Sequence, residues 1–119
     1  MTDIDEIAHR YVALWNEPDA ARRRAEIAAI FAPDLMHCTK TKEARGHEEM
    51  EARVLGSYER WVRDGGCVFR LAGTPLAHHD SVLLRWHMVS AGTETVRSMG
   101  SDFLMLNEVG LIRQDYQFV

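Results

Sequence analysis

The glycine pair Gly65-Gly66 separates two parts of the chain that follow different hydrophobic periods. Before it, apolar residues recur every three or four positions, as on one face of a helix; after it they alternate, as on a half-buried strand. Such a chain must lay helices against a sheet to cover both. Ile4, Ile7, Ala8, Tyr11, Leu14 and Trp15 predict a first helix running to about Asn16, with Thr2, Asp3, Asp5 and Glu6 supplying its cap and first-turn negative charge. Asn16-Glu17-Pro18-Asp19 breaks it, and Asp19 caps a second helix, Ala20 to Phe31, which Ala32-Pro33 stops. Leu35 to Thr39 reads as a short strand and Lys40 to Gly46 as a polar loop. From His47, the spacing of Met50, Val54, Tyr58, Trp61 and Val62 predicts a third helix that the glycine pair ends. Beyond it, Cys67–Ala72, Ser81–Val89, Thr93–Leu106 and Leu111–Val119 read as strands. Gly73-Thr74-Pro75, Ala91-Gly92 and Asn107 to Gly110 separate them, the last two gaps being short enough for hairpins.

Helices followed by an antiparallel meander make an α+β plan, in which a curved sheet and its helices close around a pocket. At 119 residues the chain is expected to be one domain, 1–119, large enough to bury a core without disulfides. Hydrophobic residues at 46% and charged ones at 27% predict order almost end to end. Cys38 and Cys67 match neither a metal nor a redox spacing and read as small buried hydrophobes. A net charge of −4 argues against nucleic acid, and Arg22-Arg23-Arg24 spread around almost a full helical turn as a solvated face. Met1 to Tyr11 lacks the basic and apolar regions of an export signal, and no stretch approaches the roughly 18 apolar residues of a membrane span. A cytoplasmic protein without membrane contact is the expectation.

Arg10-Tyr11-Val12-Ala13 with Asn16 and Asp19, Ile30-Phe31-Ala32-Pro33-Asp34, Arg85-Trp86, Gly100-x-Asp102-Phe103 and Gly110-x-Ile112 follow one another in a distinctive order. In that order and spacing the chain resembles the nuclear transport factor 2-like superfamily, in the branch that joins SnoaL-type polyketide cyclases with ketosteroid isomerases. The resemblance covers nearly the whole chain. It implies a cystatin-like cone, with N-terminal helices on a strongly curved, mostly antiparallel sheet around an internal pocket, and it implies a homodimer.

The resemblance also implies roles. Tyr11 falls on the tyrosine that hydrogen-bonds a forming enolate in the isomerases. Their second donor, an aspartate at the start of a late strand, falls on Asp102 when counted back from Gly110 and on Ser101 when counted from Phe103. One residue of slip would turn the side chain to the other face. The isomerases' base falls on Thr39, whose hydroxyl cannot take a carbon-bound proton near pH 7; His37, on the same strand parity, is the substitute. In the cyclases a late-strand aspartate serves an intramolecular aldol closure, again matching Asp102. Arg85, Asp102 and Asp115 loosely resemble the Asp-Arg-Asp set of limonene-epoxide hydrolases.

Each assignment has a structural alternative. Asp102 could pair with Arg85 or Arg97, and Tyr11 could be a core tyrosine whose hydroxyl finds one partner. Trp86 alternates with Val82, Leu84 and Met88 on a buried face, while Leu83, Arg85 and His87 form a mixed face suited to solvent or a dimer. Gln114, Asp115, Tyr116 and Gln117 put polar side chains on both faces of the last strand, so half must look inward or into an interface. Trp15, Met50, Trp61, Trp86, Phe103 and Leu104 are the expected pocket lining. His78-His79-Asp80 reads as a loop, because neighbours in an extended segment point apart and no third metal ligand follows at fixed spacing. No metal or cofactor is expected. The reading that results is a SnoaL-like enzyme with Asp102, Tyr11 and His37 doing cofactor-independent proton transfer, isomerisation or aldol-type cyclisation on a small hydrophobic carbonyl compound. The alternative is a non-catalytic hydrophobic-ligand-binding or dimeric interaction module.

Overall fold

A computed structural model describes residues 3–119; the cap expected of Thr2 lies outside the described residues. Helix α1 (Ile4–Leu14) starts on Asp3, whose carboxylate accepts the Glu6 N–H at 3.1 Å. Helix α2 (Ala20–Ile30) starts in the same way on Asp19, which accepts from Arg22 N. Within the arginine run, Arg22 and Arg24 are exposed, but Arg23 is buried: it donates to the Glu17 carbonyl and its guanidinium lies 5.0 Å from the Tyr58 ring centre. Helix α3 (Gly46–Ser57) passes into a π-helical turn, Tyr58–Arg63, marked by the bond from Asp64 N to the Glu59 carbonyl. Side-chain spacing predicts one continuous helix here; the wider final turn rests on backbone bonding that spacing does not report.

Six strands form one open sheet. They are β1 (Phe31–Cys38), β2 (Glu43–Arg45), β3 (Cys67–His78), β4 (Ser81–Ser90), β5 (Val96–Leu106) and β6 (Ile112–Phe118), in the order β2-β1-β6-β5-β4-β3. All neighbours are antiparallel except β1 and β6, which run parallel, so the sheet is mixed.

Four boundaries differ from the sequence expectation, one of them the start of β5 at Val96 and not Thr93, because Glu94, at φ 56°, donates to the Ser90 carbonyl within the turn. Phe31 does not end the second helix but is already extended, because it and Ala32 are fully buried and Phe31 pairs with Ile112. Pro33, which cannot donate to a ladder, sits exposed in the register irregularity that follows. The polar loop contains β2, too short to show alternation, and Thr39 closes the turn before it by accepting the N–H groups of Thr41 and Lys42. Gly73-Thr74-Pro75 does not end β3; Gly73, at φ 72°, opens a bulge between Ala72 and Leu76 and the strand continues to His78. Cys67 is buried as expected, whereas Cys38 is only half-buried. Among the described residues no helix is long and apolar enough to cross a membrane.

Register decides which side chains the cone encloses. Leu84 pairs with Asp102 and Trp86 with Gly100, so these four share the inner face with Val82 and Leu104. Leu83, His87, Met99 and Phe103 stand on the outer face. The choice between Asp102 and Ser101 is thereby made: Asp102 is fully buried on the inside, and Ser101 pairs with Arg85 on the outside. A Cβ on Gly100 would come within 2.4 Å of the Trp86 indole. The Gly-x-Asp pattern therefore lets the indole lie flat against β5 beside the aspartate.

Candidate functional site

The inner face and the helices enclose a cavity of about 370 Å³, toward the small end of the range for small-molecule sites. Tyr11, Trp15, Trp86 and Met88 are its buried wall; Trp61, on the π-helical turn, and Phe69 are half-buried. Polar groups reach the same space from Arg53 and Ser57 on α3, Arg97 and Ser98 on β5, and Gln117 on β6.

Behind the Tyr11–Trp86 wall lies a network of five side chains drawn from five elements. The Tyr11 hydroxyl is 2.7 Å from Oδ2 of Asp102 and 2.6 Å from Oδ2 of Asp115. Trp86 Nε1 donates to the other oxygen of Asp102 at 2.8 Å, and His37 Nδ1 is 2.7 Å from Asp115 Oδ2. The parallel pairing of β1 with β6 sets His37 directly beside Asp115, and the β5–β6 register sets Asp115 opposite Leu104, one inward step along from Asp102. Tyr11, His37, Asp102 and Asp115 are each 1% exposed or less.

Hydrogen counting assigns the protons. A phenol has one hydrogen and an ionised carboxylate has none, so a hydroxyl at hydrogen-bond distance from two carboxyl oxygens requires that one carboxyl be protonated. Asp102 is that group. Burial and the adjacent Asp115 charge hold it well above the usual carboxylate range. Asp115 is also raised by burial, but its bonds to Asp102 and Tyr11 favour its ionised form. Burial likewise raises the Tyr11 phenol well above its usual value, with the two carboxylates adding to the effect. Burial, and then the positive charge of Arg53, pushes His37 down to about 4. A neutral His37 facing an ionised Asp115 carries its hydrogen on Nδ1 and leaves Nε2 with a free lone pair.

The residues expected from the sequence divide clearly. Tyr11, Asp102 and His37 come together, and Trp15, Trp61 and Trp86 line the cavity. Met50 and Leu104 do not line it; both are fully buried in the core, where α3 and the inner sheet face meet. Phe103 does not line it either, because it sits on the outer face between Leu83 and Tyr116. Arg85 is exposed, and Arg97 donates to the Gly65 carbonyl and Cys67 Sγ, so neither forms an ion pair with Asp102. Thr39 is a turn residue outside the cavity. The His78 and His79 rings meet each other, exposed, at the end of β3, and no third metal ligand joins them among the described residues.

Sequence reasoning misses Arg53 and reaches Asp115 only through the loose hydrolase-like set and the last strand's polar run, without assigning it to this site. The polar run Gln114 to Gln117 does place two of its members inward, Asp115 and Gln117; Arg53 gives no signal, because an arginine on an amphipathic helix usually faces water. His37, Asp102 and Asp115 each offer one ligand atom, all within 4.8 Å of one another, a spacing that a cation could use. Their converging oxygens already share the Tyr11 and His37 hydrogens, which a cation would have to displace, so the set fits a proton better.

No family model matches the sequence, and no curated protein does. Solved structures do resemble it. A SnoaL-like family structure from Agrobacterium tumefaciens, named for an isomerase, is 28% identical, with a TM-score of 0.89 over 99% of this chain and 97% of the other. A protein from Sinorhizobium meliloti named as a polyketide cyclase is 11% identical, with a TM-score of 0.68 over 94% of this chain and 93% of the other. A protein of ketosteroid isomerase-like fold from Catenulispora acidiphila, in complex with trimethylamine, is 14% identical, with a TM-score of 0.70 over 98% and 87%. By its helices on an open, curved, mixed sheet and by these neighbours, the chain has the nuclear transport factor 2-like fold and is similar to SnoaL-like and ketosteroid isomerase-like structures.

Proposed function

We propose that the cavity binds a small, largely apolar carbonyl compound and transfers a proton at the carbon next to its carbonyl, in an isomerisation or aldol-type cyclisation that uses the protein's own acids and bases. One observation carries this reading: a phenol on the cavity wall is bracketed by two buried carboxyl oxygens at 2.7 and 2.6 Å, an arrangement that must hold an additional proton. An acid kept neutral at pH 7 by burial can donate a hydrogen bond to a developing enolate oxygen, where an exposed aspartate would be ionised and repel it. Tyr11 presents that donor, Asp102 backs it, and the Trp86 N–H holds Asp102 in place. His37, its ring fixed by Asp115 through Nδ1, is the far end of this buried proton relay and does not touch the molecule in the cavity. The SnoaL-like neighbour named for an isomerase and the one named as a polyketide cyclase agree with chemistry of this kind.

A different observation supports a binding module instead: Asp102, Asp115 and His37 stand behind the cavity wall and not on it. Asp102→Asn separates the two. It keeps the shape and the acceptor for Trp86 but supplies no acidic proton. Turnover of a substrate found by screening carbonyl compounds is expected to fall about 10²–10⁴-fold with binding retained; unchanged turnover would remove Asp102 from the reaction.

A second copy of the chain is the proposed partner. The outer sheet face places Leu76, Leu83, Met99, Phe103, Tyr116 and Phe118 in neighbouring register positions, with Leu76, Met99 and Phe118 more than 60% exposed.

A further inference from the structure

Arg53 is the one cation that α3 turns into the cavity, and its bonding is incomplete. Its guanidinium lies 5.0 Å from the centre of the Trp15 ring, and its Nη2 donates a long bond, 3.3 Å, to Gln117 Oε1. Nε is buried with no partner among the described residues, and no ion pair among them includes Arg53. The indole beneath it is in the same condition, since Trp15 Nε1 is also buried without a partner. Both groups are donors only. A buried donor left unpaired costs about 1–3 kcal/mol, more when charged, so the Arg53 cation is held here without the acceptors that would offset its burial.

The surrounding charge points the same way. Burial lowers the Arg53 pKa, so its cation is held at a cost that neighbouring anions only partly offset. The nearest acids, Asp102 and Asp115, share an additional proton and therefore carry less than two negative charges between them. Arg97 brings a second cation to the same cavity from β5, and no aspartate or glutamate side chain is among the described residues that line it. The remaining wall, with Trp61, Phe69, Trp86 and Met88, is apolar.

We propose that the molecule taken by this cavity is an amphipathic acid: an apolar, ring-sized body against the Trp61, Phe69 and Met88 side chains, with a carboxylate paired to the Arg53 guanidinium. This rests on the proposed use of the cavity for a small carbonyl compound and narrows it to compounds that also carry a permanent negative charge. The anionic group anchors the molecule at Arg53 on α3 and leaves Tyr11, whose ring centre is 6.1 Å from that of Trp15, for the reacting carbonyl. Planar, bidentate recognition of carboxylate suits guanidinium and not ammonium.

The test uses three matched pairs of probes: benzoate with benzamide, 2-naphthoate with 2-naphthamide, and 4-phenylbenzoate with 4-phenylbenzamide. Binding to the full chain is titrated by quenching of the cavity tryptophans at pH 7. At least one acid is expected to bind about tenfold or more tightly than its amide. Arg53→Met, which keeps the stem and loses the fork, is expected to abolish that preference while still binding the amide, and Arg53→Lys is expected to restore only part of it. Far-UV circular dichroism and urea unfolding establish that both variants fold. Amides binding as well as acids to the unsubstituted protein would overturn the anionic anchor and leave the carbonyl-compound reading standing. Absence of binding by all six probes would overturn both.

Discussion

The two faces of the β4–β5–β6 sheet depart from ordinary alternation in opposite senses. The inner face, which should be apolar throughout, carries two fully buried aspartates, Asp102 and Asp115. The outer face, which should be polar, carries Leu83, Phe103 and Tyr116 side by side, with Met99 further along β5. Burying charge costs free energy, and so does leaving a large apolar patch in water. The inner departure is offset within the chain, because Tyr11, Trp86 and His37 satisfy most of the carboxyl oxygens. The outer departure has no such compensation among the described residues. The inner face is thus a self-contained site, whereas the outer face calls for another surface.

Tyr11→Phe should break the inner face most severely. It removes the one hydroxyl between two buried carboxyl groups without altering volume, and the unsatisfied groups should cost about 1–3 kcal/mol in urea unfolding. A loss below about 0.5 kcal/mol would mean that the carboxyls bond each other without the phenol.

A smaller effect should appear in the pH dependence of stability. Asp102 has a folded pKa above its ordinary 3.8, so between the two values the native state keeps a proton that the unfolded chain has lost. Its contribution is complete at low pH and declines as pH rises from about 4. His37 acts in the opposite sense. Its folded value of about 4 lies below the ordinary 6.5, so the unfolded chain takes up a proton that the native state refuses, and stability declines as pH falls from 6.5 to 4. Urea unfolding across pH 4–8 should show His37→Gln losing the acid-side decline, with a slope change of at most about 1.4 kcal/mol per pH unit. Asp102→Asn should lose the alkaline-side decline. Parallel profiles for all three proteins would show that neither group shifts on folding.

On the outer face, Met99→Lys should change stability least, by no more than about 0.5 kcal/mol, because the side chain is 61% exposed. Its effect belongs to assembly. Sedimentation is expected to give a dimer for the unsubstituted chain and a monomer for the variant; a monomer in both would leave the apolar outer face without its proposed partner.

Much of this architecture was legible in the residues. The caps at Asp3 and Asp19, the third helix and the long late strands follow from local patterns. So does the Gly100-x-Asp102 signature, whose glycine makes room for Trp86. The β2 strand, the π-helical turn and the bulge at Gly73 were not legible, because each depends on backbone pairing with a distant segment or on hydrogen-bond spacing that side-chain periodicity does not encode.

The site divides along the same line. Tyr11, His37 and Asp102 could be named as candidates through the family resemblance, and Asp102 also because it is an acid within an apolar stretch. Their union could not. Tyr11 and Asp115 are 104 positions apart, and they meet only because β6 inserts between β1 and β5 and turns alternate residues inward. The sequence by itself determined which segments are helix and which are strand, since hydrophobic period is a local property. Only the tertiary structure decided that Asp102 faces inward, that Phe103 faces outward, and that Arg53 reaches the cavity, because strand register and helix rotation are set by contacts among all the elements at once.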